Sequence, residues 1–354
     1  MLIQCKKTLF YSKPKPNYFT MFIVHSYYLA VILCVITMIC WGSWANMMNL
    51  KSKTWPNPLF YWDYCLGIVL FMLLLGLTLG STGSEGRSLF QDLGQANPRS
   101  LSSAFLGGVV FNLSNLLWVA AAAVAGMSVA FPVAVGLALV IGVIYNYIAK
   151  ATGDPVMLFA GVGLVVVAII VNAIAYQTMP QKVQGNTRKG VILSVLAGII
   201  MGFFYGFVAD SISLDFANPA AGKLTPYSAV LIFSVGCYLS GFIWNTYFMY
   251  KPVEGRASSY GEYFRETSPK IHISGIIGGM IWAMGLSFSI LAAEQAGPAI
   301  SYSLGQGSTM VGAAWGVFVW KEFKGAPKKT NWLLAVMFIC FIAGLVVITM
   351  ARNS

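Results

Sequence analysis

Long apolar stretches alternate with short polar connections along this chain, and the pattern occurs ten times between residues 27 and 350. A stretch of about 20 apolar residues is the length of a helix that crosses the core of a bilayer. Backbone groups in lipid must be hydrogen-bonded within the span, which favours helices. We therefore predict ten membrane-spanning helices, near residues 27–46, 60–79, 103–122, 127–149, 156–176, 190–209, 227–249, 272–292, 298–320 and 332–350.

One segment of the chain occurs twice, 171 positions apart. When residues 101–150 are laid over 272–321 without a gap, four of the first segment's five glycines coincide: Gly107, Gly108, Gly126 and Gly136. Glycine-rich apolar segments also match by chance, but these matches fall at equivalent points of two helical hairpins. A half with an odd number of spans enters the membrane inverted relative to its partner. The sequence predicts an all-α integral membrane protein with ten transmembrane helices as two inverted five-helix repeats, at 27–176 and 190–350.

Three further segments complete the predicted organisation. Residues 1–26 form a polar N-terminal leader, for which Met21 is an alternative start. Residues 177–189 are predicted as a short cytoplasmic linker, and 351–354 as a tail.

Composition places the protein in the membrane rather than in water. Charged residues make up 9% of the chain and hydrophobic residues 58%, whereas soluble domains carry about 25% charged residues. The net charge of +11 is scattered over short loops, so nucleic acid is not a predicted partner. Loops after the first, fifth, seventh and ninth spans hold 13 of the 22 Lys and Arg residues. The positive-inside rule predicts that these loops are cytoplasmic and that both termini lie outside a cell (inner) membrane.

Catalytic and metal-binding motifs are missing from the sequence. Five of the six cysteines lie in apolar stretches, and no CxxC or Cys/His cluster occurs, so neither a metal site nor a disulfide framework is predicted. The chain also has no HExxH, GxSxG or Walker motif. We therefore predict that the protein is not an enzyme and has no cofactor.

Two acidic residues at span ends have two interpretations each. Asp63 stands near the start of the second span, as a helix cap or headgroup contact or as a proton-coupling carboxylate. Glu294 ends the eighth span in a tight turn, as a solvated turn residue or as a coupling site. A carboxylate inside a bilayer is costly to bury and is commonly functional.

Uncharged polar residues form two candidate binding faces. Asn112 and Asn115 recur at helical spacing in the third span with Trp118, either as contacts between helices or as ligands for a substrate. In the ninth span, Tyr302, Gln306 and Thr309 share a face, and Ser303 lies beside them. Amides and hydroxyls next to aromatic rings suit an uncharged planar solute, whereas carboxylates or phosphates favour Arg or Lys.

Other residues in the spans have simpler predicted roles. Trp41 and Trp44 are expected in the aromatic belt at the membrane interface, with stacking on a substrate as the alternative. Glycines four residues apart are expected to let helix backbones pack closely; they are Gly198, Gly202 and Gly206, Gly275 and Gly279, and Gly312 and Gly316.

The chain contains the short motifs Tyr61-Trp62-Asp63-Tyr64, Gly107-Gly108-Val109-Val110 with Asn115-Leu116, Gly126-Met127-Ser128-Val129, Phe248-Met249-Tyr250-Lys251-Pro252, and Lys321-Glu322-Phe323. Together these motifs resemble the ureide permease family, within the drug/metabolite transporter superfamily. The resemblance implies uptake of neutral, nitrogen-rich heterocycles such as allantoin, other ureides or oxo-pyrimidines, coupled to protons. The long central loop of the plant members is missing here, which suggests a bacterial relative and leaves the exact substrate open.

The sequence thus favours a secondary transporter that works by alternating access between the two repeats. Its predicted partners are a small-molecule substrate, the lipid bilayer, a coupling proton or cation, and a second copy of the chain in a homodimer. Sugar uptake or export of drugs and metabolites is the alternative on the same fold. A non-transporting membrane scaffold is the alternative of a different class, and it predicts no solute flux.

Overall fold

Most of the described chain is helical. The structure is a computed structural model that describes residues 20–50, 55–125, 127–178, 187–265, 268–321 and 323–352. Most of the predicted leader, most of the predicted linker and the last two residues of the predicted tail lie outside these ranges. Within these ranges the only β-type pairing is three isolated bridges, and no strand is formed.

The described part of the first half contains six α-helices. They are α1 (Tyr27–Ser43), which continues into a 3₁₀ turn (Trp44–Leu50), α2 (Asn57–Leu77), α3 (Leu89–Gln95), α4 (Pro98–Ala125), α5 (Met127–Ala149) and α6 (Pro155–Gln177). The second half contains seven, which are α7 (Thr187–Ser211), α8 (Pro226–Tyr250), α9 (Tyr260–Arg265), α10 (Pro269–Ala296), α11 (Pro298–Gly305), α12 (Ser308–Ala314), extended by a π turn (Trp315–Val319), and α13 (Lys328–Met350).

Among the described residues, eight helices are long and apolar enough to cross a membrane, which makes this a multi-pass membrane protein. The fourth predicted span corresponds to α5, whose described apolar part, Val133–Ala149, is shorter. The ninth predicted span is not one continuous helix, because α11 ends at Gly305 and α12 begins at Ser308.

Proline and aspartate define several helix starts. Proline stands in the first turn of α6, α8, α10 and α11, where its missing N–H costs no helical hydrogen bond. The Asp154 carboxylate caps α6 by accepting a hydrogen bond from the Met157 N–H at 2.7 Å. The tight turn between α10 and α11 depends on Gly297, which has a φ of 83°.

Small residues allow the central helices to approach closely. A Cβ on Gly108 would lie 2.0 Å from the Phe233 carbonyl oxygen of α8. A Cβ on Gly279 would lie 1.9 Å from the Tyr64 carbonyl oxygen of α2. The predicted packing role of the glycine stripes is confirmed in α7, where Gly198, Gly202 and Gly206 face α5 at Ala134, Ile141 and Tyr145.

Both ends of the described chain lie on one face of the helix bundle, which we name the terminal face. The Tyr27 hydroxyl donates to the Thr349 carbonyl oxygen at 2.5 Å, so the start of α1 meets the end of α13. The Asp154 N–H donates to the Ala351 carbonyl oxygen at 2.7 Å on the same face. We name the opposite face, which carries α9 and the turn at residues 323–325, the α9 face.

The loops of the terminal face are fixed by one ion pair. The buried Asp92 of α3 accepts from the Arg87 guanidinium at 2.9 Å and from the Thr225 N–H at 2.6 Å. Arg87 also donates to the carbonyl oxygens of Pro219 and Lys223. The connection before α4 is therefore fastened to the connection between α7 and α8.

Candidate functional site

A cavity lies in the middle of the bundle, between α1, α4, α5, α7, α10 and the break between α11 and α12, and its empty space, including the part open to solvent, is about 650 Å³. Six aromatic residues, four polar residues and five aliphatic residues line it: Trp41, Trp44, Phe111, Trp118, Phe204 and Trp282; Ser114, Asn115, Gln306 and Ser308; and Ala134, Val135, Ala138, Ala197 and Met201.

Stacked rings form one wall of this central cavity. The Trp282 ring stacks on Phe111 with centroids 4.1 Å apart, and on Trp41 with centroids 5.9 Å apart. The Trp41 indole N–H donates to the Trp282 carbonyl oxygen at 3.2 Å and holds this pair together. The expectation that Trp41 and Trp44 belong to an interfacial belt is wrong, because both line the cavity in the bundle interior.

Two amide side chains bring both a hydrogen-bond donor and an acceptor to the cavity wall. The Asn115 Nδ2 donates to the Tyr61 hydroxyl oxygen at 3.1 Å. Gln306 is 7% exposed, and its amide makes no hydrogen bond within the described residues. It lies in the cavity wall because α11 ends just before it. The lining residues include none with a charged side chain, so the cavity suits a neutral solute with planar, hydrogen-bonding groups.

Four other residues that the sequence placed in the site lie in contacts between or within helices. The Asn112 Nδ2 donates to Ser240 Oγ of α8 at 2.8 Å, and the Tyr302 hydroxyl donates to the Ala138 carbonyl oxygen of α5 at 3.1 Å. The hydroxyls of Ser303 and Thr309 donate to carbonyl oxygens of their own segment, those of Ala299 and Gln306. Of the predicted binding residues, the cavity brings together Asn115, Trp118 and Gln306.

Asp63 belongs to a buried polar cluster near the α9 face. Its carboxylate accepts from the Tyr263 hydroxyl at 2.6 Å and lies 2.9 Å from His272 Nδ1. Burial raises the pKa of the Tyr263 phenol well above its usual value, so this hydroxyl keeps its proton and donates. The helix-cap interpretation of Asp63 is wrong, because α2 begins six residues earlier, at Asn57.

Glu294 lies at the terminal face, at the other end of the bundle from Asp63. Its Oε1 accepts a hydrogen bond from the Phe216 N–H at 2.8 Å. Neither carboxylate lines the central cavity.

Sequence reasoning missed several residues of the cavity. Trp282, Phe111 and Phe204 stand in uniformly apolar spans, where nothing distinguishes a ring in a cavity wall from a ring in lipid. Tyr61, the partner of Asn115, was visible only as part of a family-like motif.

Comparison with known proteins identifies relatives over nearly the whole chain. The ureide permease family matches residues 60–189 and 179–352. Ureide permease 1 of Arabidopsis thaliana is 24% identical over 93% of this chain and 98% of its own length. The probable glucose uptake protein GlcU of Bacillus cereus is 24% identical over 87% of this chain and 95% of its own length.

The fold also matches a crystal structure. That protein superposes with a TM-score of 0.57 over 92% of this chain and 98% of its own, at 14% identity. At this identity, the match describes the fold alone.

Proposed function

Because the chain belongs to the ureide permease family, we propose that it is a secondary active transporter for a small, neutral, nitrogen-rich solute of the allantoin, ureide or oxo-pyrimidine type. Membership of a permease family makes the chain a membrane transporter and not an enzyme, as the sequence predicted. We propose the solute class, the coupling to protons and the alternating-access mechanism.

The observation that carries the proposed solute class is the central cavity, with stacked rings, two amides and an uncharged lining. A flat heterocycle stacks on aromatic side chains such as Trp41 and Trp282. Its carbonyl and N–H groups pair with Asn115 and Gln306, each of which offers a donor and an acceptor. Trp118 borders the same space. In this proposal Asn112, Tyr302, Ser303 and Thr309 hold the surrounding helices in place.

The packing of the helices supports ten spans in two inverted repeats that move by alternating access. Helix α4 packs against α7 and α8, while α10 packs against α1 and α2. The third long helix of each half thus packs against the first two helices of the other half, as a pseudo-twofold arrangement requires. The repeat-related Gly108 and Gly279 contact α8 and α2 respectively, which are the second long helices of the opposite halves.

The proposed coupling proton binds at one of two carboxylates. Asp63 is the stronger candidate, because it is buried and faces a second titratable group, His272. Glu294 is the alternative at the opposite end of the bundle. Both termini are proposed to lie outside a cell (inner) membrane, as the distribution of Lys and Arg indicates.

Sugar uptake is the second candidate function. It is favoured by the GlcU relatives, whose name is that of probable glucose uptake proteins. Aromatic walls with a few polar groups also suit a sugar ring. Export of drugs or metabolites has no comparable observation in its favour.

Uptake by the purified protein in proteoliposomes distinguishes these functions. We expect accumulation of radiolabelled allantoin or uracil that excess unlabelled ureide suppresses and excess glucose does not. Replacing both Asn115 and Gln306 with alanine is expected to reduce solute affinity at least about fivefold, because buried hydrogen bonds are each worth about 0.5–1.5 kcal/mol. The control is Ser303→Ala, which alters a hydroxyl that bonds within α11.

Three results would contradict the proposal. Suppression by glucose alone would favour the sugar carrier. Unchanged affinity in the Asn115 and Gln306 double variant would remove the site assignment. No flux of any solute would favour the scaffold.

A further inference from the structure

A second cavity opens beside the central one, between α2, α4 and the connection from α8 to α9, and its empty space, including the part open to solvent, is about 1190 Å³. We name it the vestibule. Trp55, Tyr61, Val119, Phe248 and Arg256 are among its lining residues. Since the connection between α8 and α9 forms one wall, the vestibule belongs to the α9 face.

Helix α4 stands between the two cavities and presents a different face to each. Phe111, Ser114 and Trp118 face the central cavity, whereas Val119 and Ala123 face the vestibule. At about 100° per residue these two sets point in clearly different directions. Asn115 lies at the border between the two faces.

One hydrogen bond joins the linings of the two cavities. Asn115, which lines the central cavity, donates through Nδ2 to the hydroxyl oxygen of Tyr61, which lines the vestibule, at 3.1 Å. Asn115 and Tyr61 are each 4% exposed, so the bond is shielded from water. Tyr61 packs against Tyr64, with ring centroids 5.2 Å apart.

We propose that the Tyr61–Asn115 hydrogen bond is a gate between the central cavity and the vestibule, and that the solute opens it by taking over the Asn115 amide. This inference rests on the proposed function, and it adds Tyr61 as a residue that determines which solutes pass. A carbonyl oxygen of the solute replaces the Tyr61 oxygen as acceptor. The freed Tyr61 hydroxyl then turns to the water of the vestibule.

The energetics favour exchange of the partner over simple breakage. A buried donor without an acceptor is costly, so Asn115 holds Tyr61 while the central cavity contains no competing acceptor. A solute with a suitably placed carbonyl removes this cost, whereas an apolar molecule of the same size does not. The gate therefore selects for the carbonyl-rich solutes that the cavity chemistry favours.

Two measurements test the gate and the exchange separately. The first is the rate at which a water-soluble, charged maleimide labels Val135→Cys, a reporter on the central cavity, without any solute. Combining the reporter with Tyr61→Phe is expected to raise this rate about fivefold, the effect of losing one hydrogen bond on an opening equilibrium. The parent chain, which retains its native cysteines, provides the background.

The second measurement is the dissociation constant for uracil and for allantoin, followed by the quenching of tryptophan fluorescence. Tyr61→Phe is expected to lower this constant about fivefold, because the solute no longer displaces a partner of Asn115. A folding defect in Tyr61→Phe would weaken binding of the solute, so tighter binding distinguishes loss of the hydrogen bond from misfolding. Asn115→Leu removes the same hydrogen bond from its other side. In this variant the Val135→Cys reporter is expected to be labelled fast and the solute to bind weakly.

Tyr64→Phe is the matched control. Its hydroxyl makes no hydrogen bond within the described residues, although the ring packs against Tyr61. We expect wild-type labelling and binding in this variant. Ala120→Cys, in the vestibule, is expected to label equally fast with or without Tyr61→Phe.

The gate would be overturned if the reporter were labelled at the wild-type rate in both Tyr61→Phe and Asn115→Leu. It would also be overturned if Tyr64→Phe accelerated labelling as much as Tyr61→Phe does. Faster labelling without tighter binding in Tyr61→Phe would overturn the exchange of partners. If neither uracil nor allantoin binds, the proposed solute class and the exchange both fail, while the labelling rates still decide whether Tyr61 closes the cavity.

Discussion

Asp63 owes its burial to partners that are distant in the sequence. Tyr263 comes from α9 and His272 from the first turn of α10, and both side chains reach the carboxylate in α2. A Cβ on Gly275 would lie 2.4 Å from the Asp63 Cβ, so a glycine of α10 makes room for the cluster. The cluster therefore places a carboxylate from α2 beside an imidazole from α10.

We predict that Asp63→Asn uncouples transport from the proton gradient. Asparagine has the same size and still bonds to Tyr263 and His272, but it cannot bind and release a proton. In proteoliposomes the variant should lose accumulation driven by a pH gradient and keep the exchange of labelled for unlabelled solute. Glu294→Gln is the comparison and should retain both. Accumulation that persists in Asp63→Asn but is lost in Glu294→Gln would assign coupling to the terminal face instead.

Single residues were only partly predictable from the sequence. Asn112 and Asn115 are three positions apart and share a helical face, yet one bonds to Ser240 of α8 and the other lines the cavity. In a soluble helix the polar stripe marks the side facing water. A membrane helix is apolar all round, so the sequence does not show which neighbour each polar residue meets.

At the scale of helices, close packing depends on glycines where backbones meet. Gly279 in α10 lies against the Tyr64 carbonyl oxygen of α2, whereas Gly163 in α6 has nothing within 4 Å of an added Cβ. The same substitution at these two positions therefore separates the effect of contact from that of helix propensity.

We predict that Gly279→Ala destabilises the protein by about 1–3 kcal/mol, the usual cost of forcing an extra group into a packed interior. Gly163→Ala should instead leave stability unchanged or raise it by up to about 1 kcal/mol, because alanine favours the helix more than glycine does. Thermal unfolding in one detergent measures both. Equal melting temperatures for the two variants would disprove the close contact between α2 and α10.

The sequence also predicted helix positions better than helix continuity. The starts at Pro155, Pro226 and Pro269 coincide with changes from polar to apolar sequence and are visible as such. The interruption between α11 and α12 was not predicted, since 298–320 is apolar throughout apart from small and uncharged polar residues. Whether a Gly-Gln-Gly sequence interrupts a helix depends on what packs against it, here Met38 of α1 and Leu345 of α13.

At the scale of the whole molecule, the start of α1 and the end of α13 lie on the same face of the bundle. Residues near Tyr27 and near Ala351 lie on the terminal face, so the described chain between them returns to the face from which it starts. The ten spans predicted from the sequence require the same return and stay a prediction. The sequence could not decide the contacts between the halves, because the glycine repeat marks equivalent positions without showing what each one touches.

The protein is expected to stand in its membrane with the α9 face in the cytoplasm and the terminal face outside. Ala151 is exposed on the terminal face, close to Asp154, and Lys324 is exposed on the α9 face. The connections of the α9 face carry most of the Lys and Arg residues, so that face should be cytoplasmic. In intact cells, a membrane-impermeant thiol reagent is expected to label Ala151→Cys and not Lys324→Cys. After permeabilisation both should react, which controls for exposure. Labelling of Lys324→Cys alone in intact cells would reverse the orientation, and the gate at Tyr61 would then open to the outside.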